Sequence, residues 1–150
     1  MKRKVTKVSA TKLGWNQKIV RLREEYRTLC TFIDFFAKET GRDSIKIYDE
    51  LVNFSLDYIA YDGFHYIITE EFTGRREPKG LLLSSDTQKR FKADFDNYKN
   101  VYMRMYRKKL TVGEFTELLI FIYCMNNFEE KHKKYVDYMK WGFKDTKLNK

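Results

Sequence analysis

The chain has 150 residues, 43% of them hydrophobic and 17% aromatic, so it can bury a core and an intrinsically disordered chain is excluded. One proline and seven glycines leave long uninterrupted stretches, which favours helices over a β sandwich with many turns. The formal net charge is +9: residues 1–23 hold eight basic residues and no acidic one, whereas residues 24–150 hold 22 basic and 21 acidic residues. Such a concentration of Lys and Arg indicates contact with a polyanion, the alternative being a tail that only aids solubility.

The cysteines and the apolar runs indicate a reducing, aqueous environment. Cys30 and Cys124 lie in apolar surroundings, which is typical of small buried side chains rather than of a disulfide framework. The longest apolar run, residues 118–125, is far shorter than the roughly 20 residues of a membrane-spanning helix. We therefore expect a cytoplasmic protein without membrane contact.

The start of the chain allows two positions for a first strand. In one, residues 6–13 form the strand and the first helix begins after Asn16; in the other, residues 18–23 form the strand. The first position is preferred here, because Ile19 and Leu22 begin a spacing of three and four residues that is typical of a helix. That spacing is made by Ile19, Leu22, Tyr26, Leu29, Ile33 and Phe36.

Glycines and capping residues bound the helices of the first half. Gly41 follows a polar stretch and should end the first helix. Asp43 or Ser44 can cap a second helix over residues 47–59, which Gly63 brings to an end.

The second half begins with strand and turn signals. Residues 64–69 are β-branched and aromatic and predict a short strand, and residues 73–80 predict a connector. Residues 81–83 are apolar and long enough only for a strand, and a helix should begin at residues 84–86. Its helical spacing is made by Phe91, Phe95, Tyr98, Tyr102 and Met105.

The end of the chain predicts two more helices. Thr111 and Glu114 have the spacing of a capping box. The helix that follows, residues 115–125, is apolar nearly all round, so it should be buried. A last amphipathic helix should run through Phe128 and Tyr135 into a Lys-rich tail.

The two halves share one plan of extended segment, long helix, turn and apolar helix. The alignment that places Asn16 on Ser85 superimposes the apolar positions of the two long helices. A repeated unit of this kind cannot bury its apolar face alone, so we expect one intertwined domain. Its first repeat, connector, second repeat and C-terminal helix with basic tail are predicted at residues 5–61, 62–80, 81–127 and 128–150.

Three short motifs resemble the ribbon-helix-helix DNA-binding family. Residues 110–119 resemble the start of its second helix, residues 81–86 its strand and first-helix cap, and residues 37–44 its inter-helix turn. Residues 18–23, the alternative first strand, also resemble the family's strand. The resemblance implies a mainly α fold, two ribbon-helix-helix units sharing a short antiparallel two-stranded ribbon plus a C-terminal helix, with the ribbon in the major groove.

The resemblance also implies where DNA is contacted. Side chains on one face of the ribbon would meet base edges, and the N-termini of the second helices would meet phosphates. The base-contact candidates are Lys7, Ser9, Thr11 and Leu82, and the phosphate-contact candidates are Lys12, Arg42, Ser44, Lys46, Lys79, Lys109, Thr111 and Gly113.

Tandem copies resemble accessory proteins of conjugative plasmid relaxosomes. The expected function is therefore sequence-specific binding of double-stranded DNA, at a plasmid transfer origin or as a transcriptional regulator. Expected partners besides DNA are a relaxase or another plasmid or phage protein, and further copies on DNA. The alternative is a small inhibitor from a mobile element that docks on a host protein or nucleoprotein. No catalytic residue, metal or cofactor is expected, since His65 and His132 are far apart and have no metal-ligand spacing.

Overall fold

The structure, a computed structural model, describes residues 15–43, 46–68, 75–128 and 143–145. It confirms a mainly helical chain with a short antiparallel two-stranded sheet. The elements in chain order are β1 (Trp15–Arg23), α1 (Glu24–Glu39), α2 (Ile47–Asp62), β2 (Tyr66–Ile68), β3 (Arg76–Ser84), α3 (Ser85–Tyr106), α4 (Val112–Asn127) and β4 (Phe143–Asp145).

The central sheet, called the ribbon below, pairs β1 with β3. Each strand has nine residues, and the pairing runs from Trp15 opposite Ser84 to Arg23 opposite Arg76. Alternate residues of a strand face opposite sides, so each strand gives one side to the core. The side chains buried on that side include Val20, Leu22, Leu81 and Leu83.

The preferred position of the first strand was wrong, and the alternative is the one that forms. The predicted helix after Asn16 is instead strand as far as Arg23. Val20 is 2% exposed and its neighbour Ile19 is 59% exposed, as strand alternation requires. The helical spacing misled because Leu22 is buried on a strand as it would be on a helix.

Two further predictions about boundaries were wrong. Residues 76–80, placed in the connector, belong to β3 and pair with β1. The helices that follow the two strands begin at Glu24 and Ser85, so Glu24 rather than Asn16 corresponds to Ser85. At the end of the chain, Phe128 is extended and residues 143–145 pair with β2, whereas the rest of the predicted C-terminal helix lies outside the described residues. The strand predicted near residues 64–69 is confirmed as β2.

The helix ends show which capping signals the chain uses. The capping box is confirmed, since Thr111 Oγ1 accepts from the Glu114 amide at 3.2 Å and a Glu114 carboxylate oxygen accepts from the Thr111 amide at 2.9 Å. Gly41, at a φ of 72°, follows α1 as predicted. The predicted cap of α2 by Asp43 or Ser44 was wrong, because its N-cap is Lys46, whose amide donates to the Asp43 carbonyl in a backbone turn.

The helices of each half pack on the strand of the other half. The second helix α4 packs on β1 and α1, whereas α2 packs on β3 and α3. The two second helices also pack on each other, and their apolar side chains form one buried cluster with those of the ribbon. Because burial of this apolar area requires both halves, they should fold as one cooperative unit.

A buried ionic cluster joins α4 to both strands of the ribbon. Glu117 is fully buried, and its carboxylate accepts from the backbone amide of Arg23 at 2.7 Å and from its Nε at 3.0 Å. The guanidinium of Arg76 donates to the same carboxylate at 3.0 and 3.1 Å. At the other end of the ribbon, the Ser84 amide donates to the Asp49 carboxylate of α2 at 2.9 Å. Each strand is therefore held at its last residue by an acid from the other half.

Glu117→Ala should lower the free energy of unfolding by about 3–5 kcal/mol, because it leaves the buried Arg23 guanidinium without its carboxylate. The measurement is urea denaturation followed by circular dichroism. Asp96→Ala is the matched control, since it removes an exposed carboxylate 3.4 Å from Lys99 and should cost at most about 1 kcal/mol. Equal losses for the two variants would contradict a structural role for the buried cluster.

Candidate nucleic-acid interface

The face of the ribbon turned away from the core, called the outer face, carries amide, cationic and apolar side chains. Residues directly opposite each other in an antiparallel pair project to the same side. Ile19 is 59% exposed at the centre of this face, which is unusual for a large apolar side chain. The outer face is made of Gln17, Ile19 and Arg21 from β1 and, opposite them, Leu82, Gly80 and Pro78 from β3.

The polar side chains of β1 are held along the ribbon. The Gln17 amide lies over Gly80, where an added Cβ would come 3.2 Å from its Oε1. Arg21 Nη2 donates to the carbonyl of Arg76 at 3.1 Å, and Arg76 Nη1 donates in return to the carbonyl of Arg21 at 3.1 Å. These contacts limit the rotamers that Gln17 and Arg21 adopt, which lowers the entropy lost on binding.

The N-termini of the two second helices lie at opposite ends of the ribbon. At one end, Lys46 precedes α2, and its Nζ lies 5.1 Å from the ring centroid of Trp15. At the other end, Gly113 in the first turn of α4 lies against the backbone carbonyl of Arg21. A helix N-terminus has unpaired N–H groups and a partial positive charge, which favours anions. Asp49 and Glu50 in the first turn of α2 and Glu114 in that of α4 are already there, so a phosphate would have to share these N-termini with them.

The charge of the ribbon is strongly positive. Its strands contain five basic residues, namely Lys18, Arg21, Arg23, Arg76 and Lys79, against one acidic residue, Glu77. Glu117 neutralises Arg23 and part of the charge of Arg76. Beside that end, Arg27 donates to the carbonyls of Leu22 and Arg75 and lies 3.7 Å from Glu77. The excess positive charge attracts a polyanion from a distance.

The structure places the predicted contact residues unequally. Leu82 lies on the outer face between buried Leu81 and Leu83, as predicted. Lys46, Thr111 and Gly113 lie at the helix N-termini described above, and exposed Lys109 precedes Thr111 in the chain. Lys7, Ser9, Thr11, Lys12 and Ser44 lie outside the described residues.

Two predicted phosphate-contact residues already have contacts within the fold. Arg42 Nη1 lies 2.6 Å from a Glu50 carboxylate oxygen and 3.1 Å from the hydroxyl of Tyr123. Lys79 Nζ lies 5.4 Å from the ring centroid of Tyr48. A phosphate would have to share these cations with their present partners.

Sequence inspection missed Gln17, Ile19 and Arg21 because residues 6–13 were preferred as the strand. The sequence signal for this strand was the alternation of Ile19 and Arg21 with the apolar residues Val20 and Leu22. It was also present in the resemblance of residues 18–23 to the family's strand.

A metal site and a membrane-spanning helix are both absent from the described residues. They contain no group of three or more His, Cys, Asp or Glu side chains that could hold a metal ion. None of the helices in this part of the chain is long and apolar enough to cross a membrane. His65 Nε2 lies 2.7 Å from the Asp62 carboxylate, and the ring stacks on Tyr66. Burial raises the pKa of the Cys30 thiol to about 11 and that of Cys124 well above its usual value, so both thiols are protonated at neutral pH.

Gly113→Ala should destabilise the fold by about 1–3 kcal/mol, because its Cβ would lie 2.3 Å from the Arg21 carbonyl oxygen and force α4 away from β1. The measurement is the urea midpoint of unfolding. Gly80→Ala is the control: its Cβ meets only the flexible end of Gln17, so its effect should be smaller. A Gly113→Ala variant as stable as the wild type would show that the close approach is not required.

Comparisons with known proteins found no relative of this chain. No protein-family model matches it, and neither the curated proteins nor the solved structures contain a match. A function must therefore be inferred from the chain's own geometry and chemistry.

Proposed function

We propose that this chain is a sequence-specific double-stranded DNA-binding protein that places the outer face of the β1/β3 ribbon in the major groove. The observation that carries the proposal is the antiparallel pairing of β1 with β3, which leaves Gln17, Ile19 and Arg21 together on a solvent-facing side. The major groove is about 12 Å wide and admits a two-stranded ribbon.

The outer-face side chains match the chemistry of base edges in that groove. An Arg such as Arg21 donates two hydrogen bonds to O6 and N7 of guanine, and a Gln such as Gln17 pairs with N6 and N7 of adenine. Ile19 and Leu82 offer apolar contact to the methyl group of thymine. This explains why an exposed isoleucine is useful at the centre of the face.

The helix N-termini at the two ends of the ribbon would fix its position on the duplex. With the ribbon in the groove, the first turns of α2 and α4 face the sugar-phosphate backbones on either side. Lys46, Lys109 and Thr111 are basic or hydroxyl side chains that come just before these turns in the chain. Phosphate contacts of this kind set affinity and register, whereas base contacts set the sequence.

The order of strand, helix and helix occurs twice in the chain, which supports a tandem pseudo-repeat. The chain would then be an internal dimer of ribbon-helix-helix units. On this proposal its role is that of a transfer-origin accessory factor or a transcriptional regulator. A relaxase, another plasmid or phage protein, and neighbouring copies on DNA are its candidate partners.

Arg21→Ala should weaken binding to a selected duplex by about 1–3 kcal/mol, the usual worth of a bidentate contact to guanine. Lys99→Ala is the matched control: it removes one positive charge from α3 about 20 Å along the helix from the ribbon and should change little. Fluorescence anisotropy with a labelled duplex measures both. Equal affinity of wild type and Arg21→Ala would contradict the role given to the outer face, and binding to a host protein but to no duplex would favour the inhibitor alternative.

The affinity should also fall steeply with salt, because each phosphate contact adds about 0.9 to the slope of log K against log salt concentration. Lys46→Ala should reduce this slope by about 1 without changing the preferred sequence. The measurement is a set of anisotropy titrations between about 50 and 200 mM salt. A flat salt dependence would argue against phosphate contacts by this surface.

A further inference from the structure

The two strands of the ribbon present different chemistry on the outer face. β1 contributes the amide of Gln17 and the guanidinium of Arg21, both able to make hydrogen bonds. Opposite them, β3 contributes Pro78, Gly80 and Leu82, whose side chains have no hydrogen-bond donor or acceptor. The pairing also puts Arg76 and Ser84 of β3 on this side, but Arg76 donates to the Glu117 carboxylate and Ser84 Oγ accepts from the Thr87 amide. The strands pair over their whole length, so the difference lies within a single continuous surface.

We propose that the ribbon makes its base-specific hydrogen bonds through β1 alone, so that the specified base pairs form one non-palindromic block and the protein binds it in one orientation. This inference rests on the proposed function. It adds that the target sequence is not an inverted repeat, although two similar halves would be expected to select one.

The residues that differ between β1 and β3 occupy equivalent positions in the two halves of the chain. The alignment that brings Glu24 onto Ser85 also brings Gln17 onto Pro78 and Arg21 onto Leu82. Two identical strands would offer the same donors to both halves of a site and would select an inverted repeat. Here the matching donors are absent from β3, where only apolar contact to a thymine methyl is available.

The residues of β3 instead make room for those of β1. Gly80 has no side chain, and the Gln17 amide lies in the space that a Cβ would restrict. The core side of the same strand keeps its ordinary apolar side chains, since Leu81 and Leu83 are fully buried. At the central positions of the strands, the loss of hydrogen-bonding side chains thus lies on the face that would meet DNA.

The length of the polar stretch sets the size of the specified block. Gln17 and Arg21 are four residues apart on a strand, which corresponds to about 13 Å. Base pairs are stacked about 3.4 Å apart, so the strand spans about four base-pair steps. Leu82 lies opposite Gln17 and can add one thymine preference at that end of the block.

The test is selection of bound duplexes from a random pool by the full chain and by variants. We expect the wild type to select a single specified block of about five base pairs without inverted symmetry. Arg21→Ala should lose the preference at one position of the block, by about tenfold to a hundredfold. An inverted-repeat motif from the wild type would overturn this inference and leave the proposed function intact, whereas failure to enrich any sequence would overturn the proposed function itself.

A second variant tests the asymmetry from the opposite direction. Pro78→Gln combined with Leu82→Arg gives β3 the polar side chains that β1 has at the equivalent positions. We expect this variant to select a longer motif with inverted symmetry, and an unchanged motif would overturn the inference. Leu82→Arg alone, confirmed as folded by circular dichroism, serves if the double variant does not fold, and it should add one specified position.

Discussion

The pairing of β1 with β3 is the constraint on which the rest of the structure depends. It joins two segments that are far apart in the chain and places each beside the helices of the other half. Once the strands are paired, their core side is covered by α2 and α4, and the Glu117 carboxylate binds residues of both strands. The same pairing leaves Ile19 and its neighbours on the outer face exposed, because the described helices pack on the other side of the pair. Fold and candidate interface therefore have one origin.

In β1, the residue that stabilises the fold and the residue proposed to contact DNA are near neighbours with different environments. Arg21 and Arg23 are two residues apart and therefore lie on the same side of β1. Arg23 is buried beside Glu117, which neutralises it, whereas Arg21 is exposed and donates to a backbone carbonyl. A buried guanidinium without a carboxylate is costly, so Glu117 allows the chain to keep a basic strand without an unpaired buried charge. The glycines divide in the same way: Gly113 permits α4 to approach β1, and Gly80 leaves room for Gln17 on the outer face.

Local signals in the sequence predicted the helices α1 to α4, β2 and the end of β3, but they misplaced β1. Thr111 caps α4 and Gly41 follows α1 because capping depends on residues within one turn. The first strand was misplaced because Leu22 fits both a helical and an alternating pattern, and only its partner strand decides between them. That partner lies outside any local window, so Gln17 and Arg21 were missed as site residues. The side of the strand on which Leu82 lies was predicted correctly, because apolar residues 81–83 end at a clear helix start and Leu81 and Leu83 are buried.

The central claim is that the outer face of the ribbon contacts DNA, and nuclear magnetic resonance of the isotopically labelled chain with a selected duplex tests it most directly. We expect the largest changes in amide resonances at Gln17, Ile19 and Arg21, with smaller ones at the first turns of α2 and α4. Resonances around Lys99 on α3 should change little. Unchanged ribbon resonances, with the shifts confined to the surface around Lys99, would contradict the claim.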